Sequence, residues 1–348
     1  MKKNKMSLLM ILKIAFTYIG AIIGAGFASG QEIFHFFIQY GREGLIGLIL
    51  AGLLFIIGGV FILQLAQRFK VDYYKLFYRL LGKGSGFMVD LIYIIFILGS
   101  ISVMLAGSGV IFHEALGVRY SLGVLITLFI VLVIVYSGVR GIFMLNTFLI
   151  PFLILVIIYT SYIHLNVGPV EINSCVANVS ILPWYISGIV YVSFNLFLSM
   201  AIMIDIGSKV RNPGVLFSGG IVGGGLIMLI LLLMGFAMYY SLNDIGYVEM
   251  PMLLLADQTG PVLYLIYMIG LWFAIITTAV ANVYGFIHRV MPLFKLNYYN
   301  SAMLTIVVVL PLTRLGFANL VKYLYPVYGV VALGVLGVMA LKVGVKIK

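Results

Sequence analysis

Apolar runs of eighteen or more residues recur along nearly all of this chain, and no other feature restricts its fold as much. Of the 348 residues, 64% are hydrophobic and 9% charged, too little polar surface to cover a water-soluble fold of this size. In hydrocarbon the backbone must satisfy its own hydrogen bonds, so a spanning chain is either helical or a closed barrel. Barrel strands alternate in polarity over about ten residues. The runs here are longer and do not alternate, and they predict an all-α membrane protein set in the lipid bilayer.

Ten segments are predicted to span: 7–40, 43–67, 85–112, 121–138, 141–163, 182–207, 213–240, 260–287, 299–315 and 317–342. With the N-terminus in the cytoplasm, 17 of the 21 Lys and Arg residues fall on the inner side, leaving only Arg42, Arg119, Arg314 and Lys322 outside. The positive-inside rule therefore predicts a multi-pass protein of the cell membrane with both termini cytoplasmic. Glu43, Glu114, Glu171, Asp244, Glu249 and Asp257 fall outside, which complements it. The net charge of +11 thus reflects topology, and the basic residues do not form the aromatic-interleaved face that binds nucleic acid. The apolar run after Lys2, Lys3 and Lys5 is too long for a signal peptide and reads as a retained first helix. One cysteine, Cys175, excludes an internal disulfide and a Cys-rich metal site. Enzymatic motifs are missing as well: His113-Glu114 lacks the second histidine of a zinc helix, and no nucleophile elbow or phosphate loop is present.

The first span covers 34 residues, about 51 Å as one helix, against a hydrocarbon core of about 30 Å. Its middle reads Gly20-Ala-Ile-Ile-Gly24-Ala-Gly26-Phe-Ala-Ser-Gly30. Each glycine weakens a helix by about 1 kcal/mol relative to alanine. Gly-xxx-Gly also serves as a close-packing face. The alternative is a break at the bilayer midplane, exposing carbonyls to a cation and a half-helix N-terminus to an anion.

Spans six to ten follow spans one to five at offsets of about 170 to 178 residues. Five helices per half is odd, so the second half, 182–342, is predicted to enter the membrane inverted relative to the first, 7–163. Span six carries Tyr191-Val-Ser193-Phe194-Asn195 and Ser199 at its middle, and a second break is expected there. In span eight, Ala274, Thr277 and Thr278 share one face at i, i+3 and i+4. Two hydroxyls and a carbonyl there, with carbonyls from an unwound 20–23, can surround a hard cation. Alone, such threonines bond back to their own helix.

The Gly-xxx-Gly-x-Gly segment and the Ala-x-x-Thr-Thr pattern resemble the LeuT-fold transporters of the amino acid–polyamine–organocation superfamily, and the likeness extends over essentially the whole chain. The stretch from Gly20 to Glu32 is particularly similar to the YkvI-like bacterial membrane proteins. The resemblance implies ten helices in a five-plus-five inverted repeat with helices 1 and 6 broken. It implies a sodium site made by Gly20, Ile23, Ala274, Thr277 and Thr278. A small solute, an amino acid or similar zwitterion, would bind at Gly24, Ala25, Gly26, Ser29, Ser193, Phe194 and Asn195. Proton-coupled members can carry a lysine in the fifth helix; residues 141–163 have none, which favours sodium. The outer-gate arginine of some members is missing from span one.

Glu32 lies two turns beyond Gly24, where an ionisable group serves gating, a substrate amine or protons; a hydrated interfacial carboxylate is the other role open to it. His35, a turn away, is a potential proton partner or a packed histidine. Asp205 and Asp90, near the inner ends of spans six and three, suit salt bridges, with Asp205 a possible inner-gate element. Asn282 extends the polar stripe or bonds across helices, and Gly219, Gly220, Gly223, Gly224 and Gly225 allow close packing. The apolar piece Met250–Ala256 in an outer connection is either a lid or a surface helix. The function expected is sodium-coupled symport by alternating access. Proton-coupled transport through Glu32 and His35, or a non-transporting ligand sensor, are the alternatives.

Overall fold

The computed structural model describes residues 2–70, 73–137, 140–165, 182–246 and 248–345. Every regular element among them is helical. The first predicted span is divided into α1 (Lys2–Ile22), α2 (Ala25–Ala28) and α3 (Gln31–Phe36), followed by a 3₁₀ turn at Ile38–Tyr40. There follow α4 (Arg42–Phe69), α5 (Tyr73–Leu81), α6 (Lys83–Val110) with a π turn at Ile111–Ala115, α7 (Tyr120–Ser137) and α8 (Arg140–Leu165). The second half contains α9 (Trp184–Lys209), α10 (Pro213–Tyr240), α11 (Leu242–Ile245), α12 (Pro251–Thr259), α13 (Pro261–Phe294), α14 (Tyr298–Thr313) and α15 (Phe317–Val345). Proline opens α10, α12 and α13, where its missing N–H removes no helix bond. Asn212 and Asn297 cap α10 and α14 through their side-chain oxygens.

Seven of these helices are long and apolar enough to cross a bilayer: Arg42–Phe69, Lys83–Ala115, Tyr120–Ser137, Trp184–Lys209, Pro213–Tyr240, Pro261–Phe294 and Phe317–Val343. Three shorter apolar helices, Ser7–Ile22, Leu149–Leu165 and Tyr298–Thr313, lie in the remaining predicted segments. Phe129, Leu155 and Val307 stand on the outside, each about two-thirds exposed, on an apolar surface that lipid rather than water must cover. Two groups of helices make up the interior. In one, α1, α4, α9 and α10 pack together; in the other, α6, α7, α8 and α14 surround α13. Helix α15 lies against α9 and α6.

Glycines of α10 let the first group close up. A Cβ at Gly219 would meet Ile14, at Gly220 Val60, at Gly223 Tyr18 and at Gly224 Ile56. Gly225 differs from the packing expectation, since nothing lies within 4 Å of the same point there. The Tyr18 hydroxyl donates to the Phe55 carbonyl at 2.7 Å, tying α1 to α4.

Two expectations are corrected. Span six is not broken: α9 runs unbroken through Tyr191–Ser199. Three of its polar side chains bond back to their own helix, Ser193 Oγ donating to the Ile189 carbonyl at 2.8 Å, Asn195 Nδ2 to the Tyr191 carbonyl at 3.1 Å and Ser199 Oγ to the Leu196 carbonyl at 3.0 Å. Such back-bonding bends helices without opening them, and no Gly or Pro lies between Ile189 and Ile206 to start a break. The predicted inner loop after span two contains a helix, α5, whose Leu76, Phe77 and Leu80 are buried. Phe77 stacks on Phe197 of α9 with centroids 6.2 Å apart. The outer connection 164–181 lies outside the described residues from 166 to 181.

Candidate functional site in the interrupted first helix

Helix α1 stops at Ile22, and the backbone turns before resuming. The Gly24 N–H bonds the Ile22 carbonyl two residues back at 2.9 Å, instead of reaching Gly20. Gly24 is extended (φ −95°, ψ −174°) and caps α2, a single turn. Gly30 then takes φ +82°, a left-handed conformation that suits glycine, and α3 begins. Residues 20–24 leave groups over: among the described residues no hydrogen bond is formed by the carbonyls of Gly20, Ala21 and Ile23, or by the N–H groups of Ala25, Gly26 and Phe27. Unpaired backbone this deep is costly unless something else pairs with it.

Helix α13 faces this opening. A Cβ on Gly24 would lie 3.9 Å from Thr278 Cγ2 and 4.0 Å from its hydroxyl oxygen. Thr277 is buried, its hydroxyl 3.2 Å from the Ala274 carbonyl, and Ala274 is buried too. Gly20 packs on Ile150 of α8, and Ile23 is buried at the break. The structure thus brings the Ile23–Gly24 opening to Thr278, with Thr277 and Ala274 alongside on the same helix.

The other side of the opening is acidic. Glu32, 5% exposed, folds back from α3 so that its carboxyl fills the place a side chain would occupy on Gly26, with Cδ 3.0 Å from that point. Tyr191 and Asn195 of α9 and Tyr325 of α15 surround it. Glu32 Oε2 and the Tyr191 hydroxyl are both buried and make no well-formed hydrogen bond. Rings enclose the cluster: Tyr191 packs against Phe36, Phe37 and Phe55, and Phe194 lies on Tyr325 with centroids 4.2 Å apart. Of the expected solute residues, Gly24, Ala25, Gly26, Asn195 and Phe194 border this region. Ser193 is buried and bonded to its own helix. Ser29 is buried, its hydroxyl donating to the Gly26 carbonyl at 2.9 Å.

Helix α12 covers the far end. The apolar piece from Met250 to Ala256 is packed inside, and its Met252 N–H donates to the Ser29 carbonyl at 3.0 Å. Tyr267 of α13 donates to the Ala28 carbonyl at 2.6 Å, so α2 is held from two sides. His164 of α8 touches the Leu255 carbonyl at 2.9 Å and Ser241 and Thr259 at 3.4 Å.

The remaining candidates lie apart. His35 is half-buried with Phe34, Gln39 and Lys322 as neighbours. Asp205 is exposed and pairs with Lys209 at 2.6 Å, one turn along α9. Asp90 is fully buried and paired with Arg289, bridging α6 and α13. Asn282 bonds across helices to Ser100 at 2.9 Å. Tyr267, Tyr325 and Arg289 carry no sequence signal of a site role, and Tyr191 stands out only among the polar residues in the middle of span six. Tyrosine occurs 23 times, and nothing local marks the few whose hydroxyls face the break.

The helix order and the opened first span define a class, the LeuT fold, and the chain is a multi-pass membrane protein. MhsT in complex with L-phenylalanine aligns at a TM-score of 0.65 and 17% identity, covering 88% of this chain and 80% of its own. The inward-facing conformation of Mhp1 aligns at 0.66 and 15%, covering 93% and 73%. The manganese transporter of Eremococcus coleocola aligns at 0.52 and 17%, covering 94% and 77%. In sequence the chain is similar to the membrane protein YkvI of Bacillus subtilis (strain 168), 28% identical over 341 residues and 95% of each chain. YyaD of the same organism is 24% identical over 316 residues, 90% of this chain and 91% of its own. No protein-family model matches. The resemblance found between Gly20 and Glu32 therefore extends along the molecule.

Proposed function

We propose that this protein is a secondary active transporter that couples entry of sodium to symport of an amino acid or similar small solute by alternating access. Its ten helices would form two inverted repeats, 7–163 and 182–342, in the plasma membrane with both termini cytoplasmic. The packing of α1 and α4 with α9 and α10 supports the repeat, since these are the first two spans of each half. One observation carries the transport reading: the unbonded carbonyls of Gly20 and Ile23 lie at a break that faces Thr278.

Sodium bound there would be held by the carbonyls of Gly20, Ile23 and Ala274 and the hydroxyls of Thr277 and Thr278. Oxygen ligands without a thiolate or imidazole suit a hard monovalent ion. Carbonyl dipoles brought together without a cation repel, so the ion stabilises the opened shape of 20–24 and thereby the solute pocket beside it. Coupling through this shared segment is reciprocal: the solute must tighten sodium binding by the factor that sodium tightens the solute. Helix α12, tied to Ser29, would register closure over the solute.

Purified protein in liposomes, with sodium and pH gradients imposed separately, tests this. Sodium-driven uptake is expected, and Thr277→Ala and Thr278→Ala are each expected to raise the sodium requirement at least about tenfold, the loss of about 1.4 kcal/mol. Uptake indifferent to sodium but driven by protons would move the coupling to Glu32, whose buried unbonded oxygen is what favours that second reading. Saturable binding with no uptake under either gradient would mark a sensor.

A further inference from the structure

The Glu32 carboxyl fills the space left by the missing side chain of Gly26. It is buried against Gly26, and it makes no ion pair with a Lys, Arg or His side chain among the described residues. Removing an ionised carboxylate from water costs several kcal/mol unless a cation and hydrogen bonds compensate. Here compensation is incomplete: Tyr191 and Asn195 lie beside the carboxyl, yet neither Oε2 nor the Tyr191 hydroxyl makes a well-formed hydrogen bond. Aromatic rings crowd the neighbourhood, Tyr191 packed on Phe36 and Phe194 on Tyr325, and aromatic rings are a side-chain type that attracts cations. Meanwhile the device expected to hold an anion is small: α2 has four residues, too few to build a helix dipole of consequence.

Resting on the transporter reading of the same break, we infer that the solute presents a positively charged nitrogen to Glu32, between Gly26, Tyr191, Asn195 and Tyr325, and needs no carboxylate of its own. The substrate class is then small organic amines. The ammonium replaces the missing partner of Glu32, and Tyr191 and Asn195 complete its hydrogen bonds.

Thermal unfolding of the purified full-length chain at fixed sodium tests this with three probes on one skeleton: butylammonium, norvaline and pentanoate. Butylammonium is expected to raise the midpoint in a saturable manner, at least as strongly as norvaline, and pentanoate to have no effect. Glu32→Gln, which keeps the shape and removes the charge, is expected to weaken the amine response at least about tenfold. Should that variant not fold, Glu32→Asp withdraws the charge by one methylene and is expected to weaken it at least about threefold. No saturable response to butylammonium, a response to norvaline or pentanoate without one to butylammonium, or an amine response unchanged in the Glu32 variants would each overturn the inference. Amine binding that Glu32→Gln abolishes, without uptake in liposomes, would overturn the transport reading and leave this one standing. Solute uptake that is indifferent to amines and to Glu32 would do the reverse.

Discussion

At Gly26 the missing side chain makes room for the Glu32 carboxyl, whereas at Gly225 it makes room for nothing within 4 Å. The two positions therefore respond oppositely to the same methyl group. Gly26→Ala is expected to push the carboxyl out of the site and reduce uptake at least about tenfold, because a misplacement of about 1 Å in a binding constellation is enough to do so. Gly225→Ala lies inside α10 and is expected to leave uptake unchanged, while stabilising the helix by up to about 1 kcal/mol. Paired uptake and unfolding measurements on the two variants check this. Equal loss of uptake in both would mean that Gly26 matters only as a helix residue.

Among the elements, the contrast between the first and sixth spans is instructive. Both carry polar residues at mid-length, yet only the first opens. Glycine clusters remove both side-chain packing and helix propensity, whereas Ser193, Asn195 and Ser199 bond to carbonyls on their own helix and leave its ladder closed. The break was legible because glycine acts through the local backbone. The continuity of α9 was not, because a polar residue satisfied along its helix and one that ends a helix look alike in sequence. Helices α6 and α13 are joined by the buried Asp90–Arg289 pair. Removing one partner of such a pair leaves a charge buried, so Asp90→Asn is expected to destabilise by about 3–5 kcal/mol. Arg289→Gln added to it is expected to restore part of that loss, and a double-mutant cycle of unfolding midpoints measures the coupling. Additive losses would show that the two side chains do not stabilise each other.

For the whole molecule, orientation is the property with the sharpest sequence signature. In the predicted topology 17 of the 21 basic residues fall on the inner side, so a green fluorescent reporter fused after residue 348 is expected to be bright and alkaline phosphatase there inactive. The same two reporters after residue 258 are expected to give the opposite result. Identical behaviour at both sites would mean that the segments between them cross the membrane an even number of times, contrary to the three crossings predicted from 260 onward.

The helical membrane class, the places of the apolar helices, the glycine-rich weak point around Gly24 and the Thr277–Thr278 pair were all readable in the residues alone. Those properties follow from burial in hydrocarbon and from backbone propensity, both of which act over a few turns of chain. It took the packed helices to show that the first helix opens at Gly24 toward Thr278, that Glu32 folds back onto Gly26 beside Tyr191 and Tyr325 from helices far along the chain, and that α12 is bonded to Ser29. Such juxtapositions depend on how distant helices pack. No local pattern records which of many tyrosines or carboxylates will share one pocket.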